Sequence, residues 1–316
     1  MLLSRQGYEL TQMNGIIIGI QTKEFSSPVP ELERWQEMVW DLNASTGYEF
    51  AVMAGLAAPF MGIATDQAVV INFFGGELRQ RRRLLQLAMS CWIDPNELED
   101  QLVTVSWQEG RTKFGFAYTL NADRFSVEEI KNVASHGVSR MAIVCGDRAL
   151  DEEIFQDEAV GGKKLWVLNL NVTRLLTGDE LGMSTGAVQG ALSGLEQSFV
   201  GEFLLQWMRA CRPRMKDIRN WIRSQARYEY ENDLLTIARS VRNSEAEQGH
   251  LASDLWPSYA PRILSLIKSV TVIAIDEDVL SNIEHFGICE NIYRLWHQGY
   301  MEARKSAQDS CLDEKS

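Results

Sequence analysis

The sequence of 316 residues has few of the residues that build metal centres and disulfide frameworks. Its five cysteines and four histidines are scattered along the chain. No two cysteines form a CxxC pair, and no histidine stands at metal-ligand spacing from one. These absences exclude zinc-finger and disulfide-scaffold classes. We therefore predict reduced, mostly structural thiols, no metal site and no bound cofactor.

Long apolar runs are missing as well. We find no run that approaches the roughly 18 to 20 residues that a membrane helix needs. The apolar patch Ile16–Ile18 is short and lacks the flanks of a signal peptide. We expect no membrane contact and a location in the cytoplasm.

The sequence has fewer basic than acidic residues: 31 Lys and Arg against 43 Asp and Glu, which gives a net charge of -12. Such a field repels phosphate backbones, which excludes non-specific nucleic-acid binding by the whole surface and leaves only a local basic site open. The hydrophobic fraction of 45% and the charged fraction of 23% are those of a globular protein.

Apolar periodicity gives the order of the elements. Trp35, Met38, Val39 and Leu42 follow helical spacing after Pro30, and the sequence Ser126-Val-Glu-Glu129 predicts a capping box that opens another helix. A buried helix is expected over residues 48–60. Strands are predicted over 16–20, 68–74, 103–107, 113–120, 141–145 and 165–170, and long helices over 192–209, 215–240 and 263 to the end. Strands alternating with helices favour an α/β layered core.

The segment from residue 67 to residue 92 predicts a strand, a glycine turn and a helix. The apolar run Ala68–Phe74 is followed by Gly75 and Gly76, and then by an apolar helical stripe that ends near Trp92. A working P-loop has this order and needs three further features: flexible loop glycines, a lysine for the β and γ phosphates, and a Ser or Thr hydroxyl for magnesium. Here the turn has only Gly75 and Gly76 directly after the strand, and residues 77–83 contain no further glycine, no lysine and no Ser or Thr.

This frame resembles that of the helicase-like ATPases of bacteriophages and mobile elements. In that family the helix after the P-loop ends in a leu-ala-x-ser-x-aromatic-x-asp-pro stretch, which matches residues 87–95 here. The alignment places the family lysine on Arg81, its hydroxyl residue on Arg82, and its loop glycines on Leu78 and Gln80. The resemblance implies an α/β fold with a P-loop NTPase-like αβα core (AAA+/RecA-like), followed by a mainly helical C-terminal region.

The resemblance also implies domain limits and further site positions. Residues 1–47 are an N-terminal arm and helix, 48–200 the degenerate ATPase-like core, and 201–316 a helical C-terminal domain. Asp123 aligns with the Walker B acid, but the glutamate that should follow it is missing. Asn169 or Asn171 aligns with the polar sensor residue. A second candidate acidic site is Asp276 with Glu277, which follow an apolar run; a structural strand or a buried helix with an exposed acidic end is the alternative there.

Four arginines, Arg79, Arg81, Arg82 and Arg83, form a dense basic run at a predicted helix start, where the helix dipole favours anions. They suit contact with nucleic-acid phosphates or with an acidic neighbour, and a solvated helix face is the alternative. A second basic stretch, residues 209–223, contains Trp207 and Trp221, whose helical spacing is also that of core residues.

Together these features predict a pseudo-ATPase related to phage and mobile-element replication helicases. It would not be an enzyme, and it would act as an assembly, regulatory or nucleic-acid-associated subunit. The expected partner is another copy of the chain or an active ATPase paralogue. The alternative hypothesis is a structural or host-interaction protein on the same fold, which binds a protein partner through its acidic surface.

Overall fold

The computed structural model describes residues 2–5, 8–13, 16–21, 30–42, 45–92, 98, 100–109, 112–135, 140–150, 165–177, 215–240, 259–276, 280 and 285–313. Eight strands form one mixed sheet in the order β1-β2-β3-β5-β6-β7-β4-β8. Their bounds are β1 Leu2–Arg5, β2 Tyr8–Met13, β3 Ile16–Gln21, β4 Ala68–Phe74, β5 Val103–Glu109, β6 Thr112–Thr119, β7 Met141–Gly146 and β8 Leu165–Asn171.

Strand directions differ between the two ends of the sheet. The strands β6, β7, β4 and β8 run parallel to one another, whereas β1, β2 and β3 are joined as antiparallel pairs. The strand predicted over 16–20 is confirmed as β3. The hairpin of β1 and β2 was not predicted, because its short, weakly alternating segments carry no strong strand pattern.

The expected alternation of strands and helices is wrong at β5 and β6. These strands pair antiparallel, from Val103 opposite Tyr118 to Glu109 opposite Thr112. Only two residues separate their ends, which is enough for a hairpin and far too short for the crossover that a parallel pair needs. The predicted strands themselves are confirmed at both places.

The helices are α1 Pro30–Asp41, α2 Thr46–Ala57, α3 Met61–Ala64, α4 Leu78–Ser90, α5 Val127–Ser135, α6 Val172–Thr177, α7 Met215–Glu229, α8 Tyr259–Asp276 and α9 His285–Asp313. A 3-10 turn, Ala58–Phe60, links α2 to α3, and a π-helical turn, Tyr230–Leu234, extends α7 toward residue 240. The predicted helices after Pro30, over 48–60, after Gly76 and after Ser126 are therefore confirmed. The helix predicted over 192–209 lies outside the described residues.

The sheet carries helices on both faces. Val69, Ile71 and Phe73 of β4 point into a large core that also holds the apolar faces of α1, α2 and α4. The alternate residues Ala68 and Val70 point into a smaller core with α5. Helices α4 and α5 thus lie on opposite faces, as in layered α/β proteins.

Helix α4 is held by an unusually close contact with α2. A Cβ atom on Gly55 would lie 2.0 Å from the Ala88 carbonyl oxygen, so only glycine fits at this crossing. The indole of Trp92 donates a hydrogen bond to the Gly55 carbonyl at 2.6 Å, and Trp35 donates one to the Ser90 hydroxyl at 3.1 Å. Ala88, Ser90 and Trp92, which belong to the motif that carried the family resemblance, are packing residues.

The described C-terminal helices pack directly onto the α/β core. Helices α8 and α9 contact α2 and β8, and Arg174 of α6 pairs with Glu302 of α9 at 2.5 Å. Residues of α7, α8 and α9 belong to the same apolar cluster as the first face of the sheet. The predicted boundary at residues 200 and 201 lies outside the described residues and stays a prediction.

One helical stretch, Thr46–Ala64, is long and apolar enough to span a membrane, so the expectation that no segment approaches this length was too strict. Of the residues in its most apolar 18-residue window, 89% are buried within the protein, against the sheet and the neighbouring helices. Its apolar character is explained by this burial.

Candidate functional site

Polar side chains converge at the carboxyl edge of the parallel strands. Strands β4, β6, β7 and β8 all end here, and the helices that follow β4 and β6 leave toward opposite faces of the sheet. Open α/β sheets bind ligands in the crevice that such a divergence creates. This edge therefore contains the candidate site.

The turn after β4 is three residues long. Gly75 and Gly76 have φ values of 70° and 62°, a left-handed conformation that favours glycine. Glu77 caps the helix, which begins at Leu78: the Glu77 carboxylate accepts from the Gln80 N–H, and the Gln80 side chain accepts from the Glu77 N–H at 3.0 Å. Two aligned P-loop positions, Leu78 and Gln80, thus lie inside the first turn of α4.

Backbone N–H groups of this turn are used within the protein. Gly75 N donates to the Gly146 carbonyl at 3.2 Å, Glu77 N to Gln80, and Gln80 N and Arg81 N to the Glu77 carbonyl. A phosphate-binding loop needs such donors to face its ligand. Here four of them have internal acceptors.

Arg81, at the aligned lysine position, is buried and folds back over the turn. Its Nη1 donates to the Gly75 carbonyl at 3.3 Å, and its Nη2 pairs with the Asp147 carboxylate at 2.5 Å. The side chain of Arg81 is 9% exposed and that of Asp147 is 77% exposed. Arg81 Nε has no hydrogen-bond acceptor among the described residues.

The remaining arginines of the run have different surroundings. Arg79 and Arg82 are exposed, and Arg83 is half-buried. Leu78 is one of the few exposed large apolar residues, at 61%. The predicted basic surface therefore consists of Arg79, Arg82 and Leu78, with Arg83 at its border, whereas Arg81 belongs to the interior.

Residues 147–150, which follow β7, are fixed across the strand ends by three polar side chains. Asp123 accepts from Asp147 N at 2.6 Å, and Asn72 donates to the Arg148 carbonyl at 3.2 Å. Asn169 accepts from Leu150 N at 2.9 Å and donates to the Leu150 carbonyl at 2.7 Å. We call residues 147–150 the strap. Two predicted remnants of nucleotide chemistry, Asp123 and Asn169, hold the strap.

Asn171, the other predicted sensor position, ends β8 beside the glycine turn. Its Oδ1 accepts from Arg174 N at 3.3 Å, which caps the start of α6. A Cβ atom on Gly75 would lie 3.5 Å from Asn171 Nδ2, so the side chain packs against the turn. Asn171 is thus brought to the site, as is Arg81, but Arg82 faces solvent.

Two members of the cluster, Asp147 and Asn72, were missed from the sequence. Asn72 has a visible signal, since it is a polar residue in the centre of the apolar strand β4, and it is fully buried. Its Nδ2 also donates to Asn169 at 2.9 Å, while its Oδ1 has no described partner. Asp147 has no such signal, because it stands in an exposed turn.

The second acidic site lacks the strand that a Walker B position requires. Residues 270–276 belong to α8, a largely buried helix, and Asp276 is exposed at its end. Glu277 lies outside the described residues. In the second basic stretch, Trp221 is partly buried and packs against the core, whereas Trp207 is also outside the described residues.

The three cysteines with described side chains are buried free thiols. Burial raises the pKa of Cys91 well above its usual range, and raises the pKa values of Cys145 and Cys289 to about 12. Within the described ranges, no group of three or more His, Cys, Asp or Glu residues is placed to hold a metal ion.

No protein-family model matches the chain. No curated protein matches it either. A solved structure does: the active helicase Cch of the type IV SCCmec element, with a TM-score of 0.52 and 10% sequence identity. The match covers 84% of this chain and 50% of that one, so this chain spans half the length of the helicase. At this identity the likeness concerns the fold alone, and the chain has a helicase-like α/β fold.

Proposed function

We propose that this chain is a pseudo-ATPase, a helicase-like protein whose nucleotide site is occupied by its own side chains and which works as an assembly or regulatory subunit. The observation that carries the proposal is Arg81, which covers the glycine turn and is held by Gly75 and Asp147. A nucleotide phosphate would have to displace this contact before it reached the turn.

Internal anions support the same conclusion. The Glu77 carboxylate accepts an N–H of the first turn of α4, where a phosphate would otherwise sit. The Asp147 carboxylate neutralises the cation nearest to it. Both negative charges belong to the chain, so the positive end of α4 and the Arg81 guanidinium each already face an internal carboxylate.

The residues at the other catalytic positions have structural tasks in this arrangement. Asp123 and Asn169 hold the strap, and no described glutamate stands beside Asp123. ATP hydrolysis needs an acid that orients magnesium and water, and Asp123 is engaged with the strap backbone instead. Loss of hydrolysis is compatible with a retained role in assembly, because the packing frame of α2 and α4 is intact.

Nucleotide binding to the whole chain tests the first half of this proposal. We expect no change of melting temperature with millimolar ATP and Mg²⁺ and no ATPase activity, with or without single-stranded DNA. A ligand present at a hundredfold excess over its Kd would add about 2.7 kcal/mol, which corresponds to a rise of about 4 °C for a chain of this size. Such a rise would overturn the proposal.

A variant sharpens the test. Asp147→Ala releases Arg81 from its carboxylate while leaving the turn and the cap in place. If Asp147 acts as an internal anion, this variant gains a measurable melting-temperature rise with inorganic phosphate that the parent chain lacks. Arg294→Ala, which removes an exposed pair with Glu290 on α9, is the matched control and should gain none.

A further inference from the structure

The carboxyl edge of the sheet presents two oppositely charged groups, one on each side. On one side, the first turns of α4 expose an apolar residue, Leu78, and two basic residues beside it, Arg79 and Arg82. No hydrogen bond or ion pair to either arginine is found among the described residues. We call Leu78, Arg79 and Arg82 the basic group.

The other side of the same edge is acidic. Helix α5 begins here after β6, and Glu128 and Glu129 are exposed in its first turn. Asp123 precedes that helix. Asp100 precedes β5, whose start is paired with the end of β6. We call these four residues, Asp100, Asp123, Glu128 and Glu129, the acidic group.

Three cations lie beside the acidic group and offset part of its charge. Asp100 faces Arg124 at 3.7 Å, Asp123 faces Arg148 at 3.7 Å, and Glu128 faces Lys131 at 3.9 Å. Four carboxylates against three cations leave this side of the edge with one negative charge in excess. Hydrogen bonds from the Ser126 backbone and hydroxyl lower the pKa of Glu129, which keeps that carboxylate charged.

The basic group and the acidic group both point away from the carboxyl edge of the sheet. Helices α4 and α5 lie on opposite faces of the sheet, and both begin at the carboxyl ends of parallel strands. Side chains in a helix tilt toward its N-terminus, so the arginines of α4 and the glutamates of α5 lean in the same direction. Among the described residues, the strap and the glycine turn lie between them.

A surface with a positive half and a negative half matches itself after a rotation of 180°. A two-fold axis through the edge places the basic group of one copy against the acidic group of the other, and repeats the contact symmetrically. We propose that this edge is the docking surface for a second copy of the chain, in a two-fold dimer that covers the strap and the Arg81 site.

Two observations favour a second copy over nucleic acid. Within the described part of the edge, Arg79 and Arg82 are the arginines without a partner, whereas a nucleic-acid surface needs cations for many phosphates, and the acidic group would repel the same backbone. Leu78, exposed beside the two arginines, gains from burial against protein and not against phosphate. The proposal gives the assembly role of the proposed function a partner, and it does not depend on the loss of nucleotide binding.

Sedimentation velocity of the full chain tests the dimer. At 0.1 M salt, where the Debye length is about 10 Å, we expect a reversible dimer, and at 1 M, where it is about 3 Å, a monomer. R79E/R82E and D100R/E128R should each sediment as monomers. R79E/R82E makes both halves of the edge negative. D100R/E128R makes both positive, because the two new arginines join Arg124, Lys131 and Arg148 against the remaining Asp123 and Glu129. R227E/R239E reverses two exposed arginines of the α7 segment and should remain dimeric.

The decisive sample is an equimolar mixture of the two monomeric variants. One variant has an acidic edge and the other a basic edge, so we expect their heterodimer to form where neither variant dimerises alone. Restored dimerisation also shows that both variants are folded. Circular dichroism melting of each variant provides the same control independently.

Several results would overturn the docking surface: a wild-type monomer at 0.1 M salt, a dimer that survives R79E/R82E, a mixture that stays monomeric, or open oligomers larger than two. Binding of a fluorescent single-stranded oligonucleotide that R79E/R82E abolishes would assign the basic group to nucleic acid instead. Nucleotide binding by an intact dimer would refute the pseudo-ATPase proposal alone, whereas a monomer that binds no nucleotide would refute the dimer alone.

Discussion

Each of two regions of the molecule buries one cation, and the two cations are compensated differently. Arg81, at the carboxyl edge, pairs with a single carboxylate that is itself 77% exposed, and its Nε has no described acceptor. Lys268, between the C-terminal helices, is 3% exposed and contacts two carboxylates, Glu229 at 2.6 Å and Asp233 at 2.5 Å.

The π-helical turn Tyr230–Leu234 follows Glu229, the last residue of α7, and contains Asp233. Gln225 donates to Glu229 at 2.7 Å and completes the arrangement. Desolvation lowers the pKa of Lys268, but hydrogen bonds to Asp233 and Glu229 outweigh it and raise that pKa overall. The comparison shows that Lys268 in the helical region is paired with two carboxylates, whereas Arg81 at the edge is paired with one carboxylate that is largely exposed to solvent.

The largest expected effect is on the helical side. Lys268→Ala leaves Glu229 buried, only 6% exposed, without its cation, and breaking a buried pair in this way costs about 3–5 kcal/mol. The free energy of unfolding in urea measures the loss. The double variant Lys268→Ala with Glu229→Gln should recover part of the lost free energy of unfolding. If Lys268→Ala lost less stability than the edge variant Asp147→Asn, the comparison would be wrong.

At the edge we expect a smaller loss. Asp147→Asn replaces the carboxylate that Arg81 faces by a neutral amide, so a charged hydrogen bond worth about 1.5–3 kcal/mol is weakened, and the side chain at position 147 is already 77% exposed to water. The urea midpoint should fall less than for Lys268→Ala. Arg294→Ala, on an exposed helix pair, sets the baseline at about 0.3–0.5 kcal/mol.

Each region also buries a cysteine beside its cation, which gives a matched pH experiment. Cys145 Sγ lies 3.4 Å from the Arg81 carbonyl, and the Lys268 charge acts on Cys289. Burial raises the pKa of both thiols from 9.0 to about 12. Between these values the unfolded chain loses a proton that the folded chain keeps, so stability falls as pH rises, by about 1.4 kcal/mol per pH unit for each thiol.

Urea unfolding at pH 8.5 and 10 measures this slope. Cys145→Ala and Cys289→Ala should each remove one thiol's share of it. Lys268, whose folded pKa is raised, adds stability below its unfolded value and loses it at still higher pH, so the window below pH 10 isolates the thiols. If the free energy of unfolding fell equally steeply with pH in the parent and in both variants, the burial of Cys145 and Cys289 would be contradicted.

The smallest expected effect concerns the start of α4. Glu77→Ala removes the carboxylate that caps the helix, and loss of such a cap costs about 1 kcal/mol. Ser126→Ala, at the second capping box, should lose a similar amount. Hydrogen exchange of the first-turn amides of α4 should quicken only in Glu77→Ala, and an unchanged rate would contradict the cap.

Much of the fold was predictable because its signals are local. The apolar run of β4, the glycine pair after it and the Ser126 capping box each specify their element within a few residues. The β5–β6 hairpin was missed because strand direction depends on the length of the connection and on sheet neighbours, neither of which alternation encodes.

The site was predictable in position and not in its contacts. Sequence alignment brought Arg81, Asp123, Asn169 and Asn171 to one edge, where the structure has them. It could not show that Asp147 faces Arg81, because the two residues are 66 positions apart in the sequence and Asp147 has no pattern of its own. The helix start at Leu78 depends on a reciprocal bond between Glu77 and Gln80, which is visible only in three dimensions.

Under the pseudo-ATPase proposal, the Glu77 cap makes a return to nucleotide binding costly. A flexible phosphate loop would need glycine at Leu78 and Gln80 as well as lysine at Arg81. Glycine in the first turn of α4 costs about 1 kcal/mol per position, and replacing Gln80 also removes half of the capping box. Each glycine substitution alone would therefore lower stability before any nucleotide contact exists to offset the loss. A helix that begins at Leu78 thus opposes the formation of such a loop by single substitutions.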